Sequence, residues 1–266
     1  MPDGPPHGHL STDDLSTADV DVQIAALDHQ SRLPGIPRLR AWSVAVLGLK
    51  PGERVLDIGS GTGELARILA EAVGETGEAI GLDPNEGMRA EAARRARHAR
   101  FVAGDAYALP FPDSSLDAIT CERVFQHLTE PDKAAAEIAR VLRPGGRVVI
   151  TDTDWATAII HPGDPDIARV VIEAMRGGIV NPFAARRLPG HLIRAGLTVD
   201  DTGSHALIQS AAAATGPLVK MLGRMAVDRG VIDAQRCERF LEDLAAGAGS
   251  GDFHMSVTMF AVLAHK

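Results

Sequence analysis

Three short runs in this chain each bring glycine or another turn-forming residue beside a carboxylate. They are Asp57-Ile58-Gly59-Ser60-Gly61-Thr62-Gly63, Leu82-Asp83-Pro84 and Gly104-Asp105-Ala106. Glycines that follow a strand let the backbone approach a ligand closely, and the N–H groups that open the next helix then face it. A nucleotide-like molecule suits that arrangement, although a glycine cluster alone is also what a plain structural turn looks like. Asp83 lies roughly twenty residues beyond the first run, where a carboxylate at the end of a second strand can accept both hydroxyls of a ribose. Taken singly, Asp83-Pro84-Asn85 is equally a turn or a helix cap. Jointly, the three runs fall at the ends of three successive strands, the crevice where open α/β sheets hold ligands.

A second set of residues has acid–base character. His127, in Val124-Phe125-Gln126-His127-Leu128, titrates near neutrality and follows a fourth strand, so it is a candidate general base. Asp152 and Asp154 follow a fifth strand, and either is a candidate to orient the imidazole. The alternatives are that His127 only caps or packs beside the following helix, and that the two aspartates are polar strand-end residues.

The elements that must position these groups alternate. The spacing of apolar residues predicts strands at 54–58, 79–82, 100–102, 116–120 and 147–151, with helices at 64–73 and 86–98 between the first three. Thr129 and Asp132 fit a capping box, and Pro131 suits the first turn of a helix that stops at Arg143-Pro144-Gly145-Gly146. A helix at 184–195, a strand at 197–207, a mostly helical stretch at 211–244 and a last strand at 253–264 complete the pattern.

These residues resemble class I S-adenosylmethionine-dependent methyltransferases. Val55-Leu56-Asp57-Ile58-Gly59-Ser60-Gly61-Thr62-Gly63, Leu82-Asp83-Pro84, Gly104-Asp105-Ala106 and Leu142-Arg143-Pro144-Gly145-Gly146 carry the resemblance, which is strongest to the small-molecule branch containing the ubiquinone and menaquinone biosynthesis enzymes. It implies an α/β fold, a Rossmann-like, mostly parallel seven-stranded sheet with helices on both faces, an antiparallel last strand and a helical cap. It also implies S-adenosylmethionine as cofactor. Gly59 and Gly61 would meet its methionine part, Asp83 its ribose, and Pro84 and Met88 would border the adenine. Asp105, with the Ala106 backbone beside it, would meet the adenine amino group, and Cys121 and Glu122 would pass along the methionine tail. Asp57 would orient the positively charged amino and sulfonium region. A carboxylate there would repel a pyrophosphate, and Glu64 stands where a dinucleotide fingerprint wants its third glycine, so a nicotinamide enzyme is disfavoured.

The expected activity is methyl transfer to oxygen, carbon or nitrogen of a small organic molecule, natural-product or quinone-like, with a lean to oxygen. The rival is a cyclase or regulatory module that binds the cofactor without transferring methyl. A net charge of −8 and only 4% aromatic residues disfavour nucleic acid as the partner. No apolar run approaches the roughly 20 residues of a membrane span, and no charged-then-apolar leader opens the chain. Cys121 and Cys237 lack metal-ligand spacing, so reduced thiols, a cytoplasmic location and no metal are expected. A homodimer is allowed. Residues 1–18, with His7 and His9, read as a flexible tail, 19–50 as a helical lid, and 51–266 as the catalytic domain with cap insertions at about 155–183 and 210–252. Leu218, Met221, Leu222 and Met225 recur at helical spacing and offer an adaptable apolar wall, or plain core, while Gly223 and Gly230 suggest flexible breaks.

Overall fold

Arg54–Ile58 forms β1, buried at every position after the first, because a central parallel strand is covered on both faces and accepts an unbroken apolar run. The computed structural model describes residues 17–33 and 35–266. β2 (Glu78–Leu82) and β4 (Leu116–Glu122) flank β1 in parallel, with β3 (Arg100–Val102) outside β2 and β5 (Leu142–His161) outside β4. β6 (Thr198–Ile208) and β7 (His254–His265) complete the order β3-β2-β1-β4-β5-β7-β6. β7 is antiparallel to both neighbours, so the seven-stranded sheet has the expected form. The strand order reverses between β1 and β4, which places a ligand crevice at their C-terminal ends.

Alternate residues of each central strand feed opposite faces. Leu56, Ile58, Ile119 and Ile150 pack with Ile138 of α5 (Pro131–Val141) and Leu188 of α7 (Ala184–Arg194). Val55, Ala118 and Val149 pack on the other face with Leu65 and Leu69 of α3 (Glu64–Val73), and α4 (Glu86–Arg95) joins β2 to β3. Of the two N-terminal helices, α1 (Thr17–Ser31) begins within the stretch expected as tail; residues 1–16, His7 and His9 among them, lie outside the described residues. α2 (Gly35–Leu47) lies on the sheet, where Ile36 and Leu39 meet Leu207, Met259 and Ala261.

Four local features differ from the sequence expectation. Glu130, not Thr129, is the N-cap of α5, and it makes no side-chain cap bond. The Tyr107 hydroxyl instead accepts the N–H groups of Thr129 (2.8 Å) and Glu130 (3.2 Å). β5 does not end at Thr151: it runs on past the sheet and pairs again with β7 at Ile159–His161, after an irregularity that follows Asp154. The stretch between β6 and β7 is three pieces, a 3-10 turn (Ala211–Thr215), α8 (Pro217–Asp228) and α9 (Ala234–Ser250). Gly223 is no break: it is buried inside α8, where a Cβ would stand 2.7 Å from Cys237 Sγ of α9, so the missing side chain lets the two helices come close there. Gly230, with φ +68°, does end its helix.

α6 (Pro165–Arg176), α8 and α9 build a second core of their own, with Ile167, Val171, Leu222, Phe240 and Leu244 at its centre. No helix among the described residues is long and apolar enough to cross a membrane, and both cysteines are free and buried.

Candidate functional site

A cavity of about 1290 Å³ opens over the C-terminal ends of β1, β2 and β4, between α1 and the cap. The loop after β1 forms its floor. Gly59 and Gly61 hold φ of +69° and +49°, which other residues adopt only with strain. A Cβ on Gly59 would stand 2.3 Å from Val124 Cγ2, and one on Gly61 would stand 3.2 Å from Leu27 Cδ1 of α1. The loop is therefore threaded between the residues that leave β4 and the helix that covers it. The N–H groups of Gly59 and Ser60 both donate to the Leu82 carbonyl, at 2.8 and 3.0 Å, which ties the loop to the end of β2.

Asp83 extends that tie. One of its carboxylate oxygens accepts the Gly61 N–H and the other the Asn85 N–H, each at 2.9 Å, while Asn85 Oδ1 accepts the Met88 N–H and caps α4. Within Asp83-Pro84-Asn85 the capping residue is Asn85, and Asp83 lines the cavity. Burial pushes the Asp83 pKa up in spite of the two backbone donors. Asp105, beyond β3, accepts the Tyr107 N–H at 2.7 Å, and Pro84, Met88, Asp105 and Ala106 all line the cavity.

Asp57 is buried at the end of β1 and accepts the Thr120 hydroxyl at 2.9 Å. Burial drives its carboxyl up to about 7, against that hydrogen bond and with help from the charge on Glu122. Glu122 is held differently. Arg40 of α2 donates to both of its oxygens, at 2.7 and 2.8 Å, and Arg123 approaches to 3.3 Å. Burial disfavours the Glu122 charge, but the two arginines outweigh it and keep its pKa low. Arg40 is a site residue that no motif announces, because its partner lies 82 positions away. Cys121 is a correction. Its neighbour Glu122 lines the cavity, whereas Cys121, one residue earlier on the pleat, points into the core with its thiol pKa pushed well up by burial.

His127 lines the cavity from a 3-10 turn, Phe125–His127, just after β4. Desolvation by the cavity wall and then the charge of Arg123 depress its pKa below the ordinary histidine value. Asp152 and Asp154 stand otherwise than the sequence implied. Neither is at a strand end: both lie within β5, fully buried. Asp152 accepts the N–H groups of Gln126 (3.0 Å) and Thr153 (2.7 Å), and the two oxygens of Asp154 accept from Nε and Nη2 of Arg186. Among the described residues no hydrogen bond joins either carboxylate to His127.

The donor set fits S-adenosylmethionine. Asp57, Asp83, Asp105 and Glu122 face one end of the cavity, a wall that suits a cationic sulfonium and ammonium, ribose hydroxyls and an amino group, and that would repel a pyrophosphate. The far end is apolar, with Trp155, Ile159, Met175, Leu218, Met221 and Met255. Met225 is not part of it and packs beside Gly178. One ligand of ordinary size fills roughly 300–1,000 Å³, so the cavity has room for a second molecule beside the cofactor.

Comparison with known proteins agrees with this geometry. A family profile described as a methyltransferase domain matches residues 56–150. An uncharacterized 37.1 kDa protein of a Streptomyces fradiae transposon is 32% identical over 251 residues, covering 92% of this chain and 72% of its own. The ubiquinone/menaquinone biosynthesis C-methyltransferase of Ectopseudomonas mendocina is 36% identical over 143 residues, 51% of this chain and 54% of the relative, so the chain spans about half that enzyme's length. A putative methyltransferase of Bacillus halodurans superposes with a TM-score of 0.61 at 20% identity, covering 85% of this chain and 98% of its own, and shows the same fold.

Proposed function

Because the chain belongs to the class I S-adenosylmethionine-dependent methyltransferases, we propose that it methylates an oxygen or ring carbon of an apolar small molecule carrying a phenol or quinol hydroxyl. The observation that carries this reading is the juxtaposition, in one cavity, of the His127 imidazole on the wall and an apolar end formed by Trp155, Met175, Met221 and Met255, with room for a second molecule beside the cofactor. When bound, the cofactor supplies a methyl group already activated for transfer. The chain's own residues then have three tasks: aligning the acceptor, excluding water and handling its proton. His127 accepts the hydroxyl proton. Trp155, Met175 and Met221 hold the apolar body of the acceptor, and α1 covers the cofactor through the contact of Leu27 with Gly61. The segments 19–50, 155–183 and 210–252 form the acceptor site under this reading. The half-length likeness to quinone-methylating enzymes supports a quinone-like body.

The test is incubation of the protein with S-adenosylmethionine and a panel of reduced quinones and phenols, followed by mass spectrometry and NMR of the products. The expected result is S-adenosylhomocysteine together with a product heavier by one methylene, with NMR placing the methyl on oxygen or ring carbon. A rearranged or cyclised product of unchanged mass would overturn the reading in favour of a cofactor-binding cyclase.

A further inference from the structure

The residue before His127 has all of its polar groups engaged. The Gln126 backbone N–H donates to Asp152 Oδ2 at 3.0 Å, and its carbonyl accepts the Asn181 N–H at 2.9 Å. Its side-chain Oε1 accepts the Trp155 indole N–H at 2.7 Å, and its Nε2 donates to the Arg123 carbonyl at 3.2 Å. The preceding carbonyl, of Phe125, accepts Asn181 Nδ2 at 3.3 Å. Gln126, Asn181 and Asp152 are all buried, so the Gln126–Asp152 and Asn181–Phe125 bonds are made out of competition with water, and those of Gln126 with Trp155 and Arg123 are partly sheltered from it. A three-residue turn has little rigidity of its own. This one is held from outside by β5 through Asp152, and by the cap segment through Trp155 and Asn181.

Trp155 has a second role in the same arrangement, since it lines the apolar end of the cavity. Its backbone N–H donates to the Pro182 carbonyl at 3.0 Å, which links it to Asn181 along the chain. One wall of the acceptor pocket and the support of the imidazole are thus a single hydrogen-bonded unit. We propose that Gln126 is a positioning residue through which the cap, by way of Trp155 and Asn181, sets the orientation of the His127 imidazole toward the acceptor. The inference rests on the reading of His127 as base. It also gives Asp152 a role other than the one its sequence position implied: it fixes the backbone that carries the imidazole and does not touch the ring.

The test separates the two claims. Full-length protein labelled with ¹³C at histidine Cε1 is saturated with S-adenosylhomocysteine, and the ring signals are compared between the parent, Trp155→Phe, Asn181→Asp and Gln126→Met. Trp155→Phe deletes the indole donor and keeps an aromatic ring, and Asn181→Asp turns a donor toward the Phe125 carbonyl into an acceptor. The expected result is a shifted and broadened His127 signal in all three, with the signal of His265, on β7, unmoved. Restoring the acceptor atom alone, with Gln126→Glu, should return the His127 signal toward the parent, because the Trp155 bond is regained. A His127 signal unchanged in Trp155→Phe and Asn181→Asp overturns the positioning role. His127→Ala retaining full turnover on a quinol that the parent methylates would overturn the base assignment and leave this measurement standing. Should Gln126→Met fail to fold, the two cap variants decide the matter alone.

Discussion

The two ends of the cavity are built on different principles. The cofactor end is made of backbone bonds: Gly59, Ser60 and Gly61 are fixed by the Leu82 carbonyl and the Asp83 carboxylate, at the ends of β1 and β2, which are buried after their first residues. The acceptor end is made of side chains from separate elements, Trp155 of β5, Met175 of α6, Met221 of α8 and Met255 of β7, set about a core of their own and tied to the turn after β4 by the bond of Trp155 with Gln126. Binding of one fixed cofactor can be encoded in the first manner, because a glycine or a carboxylate at a strand end acts through local backbone geometry. A pocket that must suit one acceptor is encoded in the second. The difference predicts that changes at the two ends fail differently, one in cofactor binding and the other in turnover or acceptor affinity.

The largest effect is expected where the two ends meet. His127→Ala should lower turnover by roughly 10²–10⁴-fold, the usual contribution of a general base, and leave S-adenosylhomocysteine affinity within about twofold. Steady-state kinetics with calorimetry of the same samples checks it, and an equal loss in both would place His127 with the cofactor end. Next comes Arg40. Removing one member of a buried, bidentate ion pair strands the other, so Arg40→Ala should cost about 3–5 kcal/mol of stability by urea unfolding. Arg40→Ala with Glu122→Gln should recover part of it. A loss below about 1 kcal/mol would mean that water replaces the guanidinium.

The third effect belongs wholly to the cofactor end and has a defined sign. The Asp57 carboxyl stands at about 7 in the folded chain, against an ordinary value near 3.8. Folded protein therefore holds a proton that the unfolded chain has released between about pH 4 and 7, and stability contributed by that proton is lost as pH rises through about 7. Cationic S-adenosylmethionine favours the ionised form, so its affinity should climb by up to about tenfold per unit below pH 7 and level off above it. Asp57→Asn, which still accepts the Thr120 hydroxyl, should bind weakly at every pH and remove the slope. A flat profile in the parent would show Asp57 ionised throughout.

How much of this was legible in the sequence follows the same division. The strands at 54–58 and 100–102, the glycine loop and the wall of Asp83, Asp105 and Glu122 were readable because each signal is local: apolar runs, glycines at positive φ, and an acid at a strand end. What failed was non-local. Asp152-Thr153-Asp154 has the look of a strand end, yet the strand continues, because Asp154 finds Arg186 at a separation of 32 residues and Asp152 finds the Gln126 backbone at 26. Thr129 lost its capping role to the Tyr107 hydroxyl, 22 residues upstream. α6 went unread as an element although Pro165 and the capping Asp164 mark its start, and Arg40 carries no motif at all.

The smallest expected effect tests the acceptor end alone, using two methionines that sequence spacing could not tell apart. Met221 and Met225 lie one helical turn apart on α8, and their shared periodicity placed both on one face. The structure separates them: Met221 is 44% exposed at the cavity wall, and Met225 is turned toward Gly178, where its Cε would lie 3.5 Å from an added Cβ. Met221→Ala removes flexible apolar surface from the pocket and little from the core. It should raise the KM for the acceptor by about three- to tenfold, an apolar contact of roughly 1 kcal/mol, with unchanged Tm and unchanged cofactor affinity. Met225→Ala should do the reverse, lowering Tm with KM unaltered, because its side chain is packing between α8 and the end of α6. Measured side by side on the acceptor found among the quinols, the pair reads out whether α8 is pocket wall on one edge and core on the other. If both variants move KM equally, the wall extends a full turn further along α8 than the cavity does, and if neither moves it, the acceptor sits against Trp155 and Met255 instead.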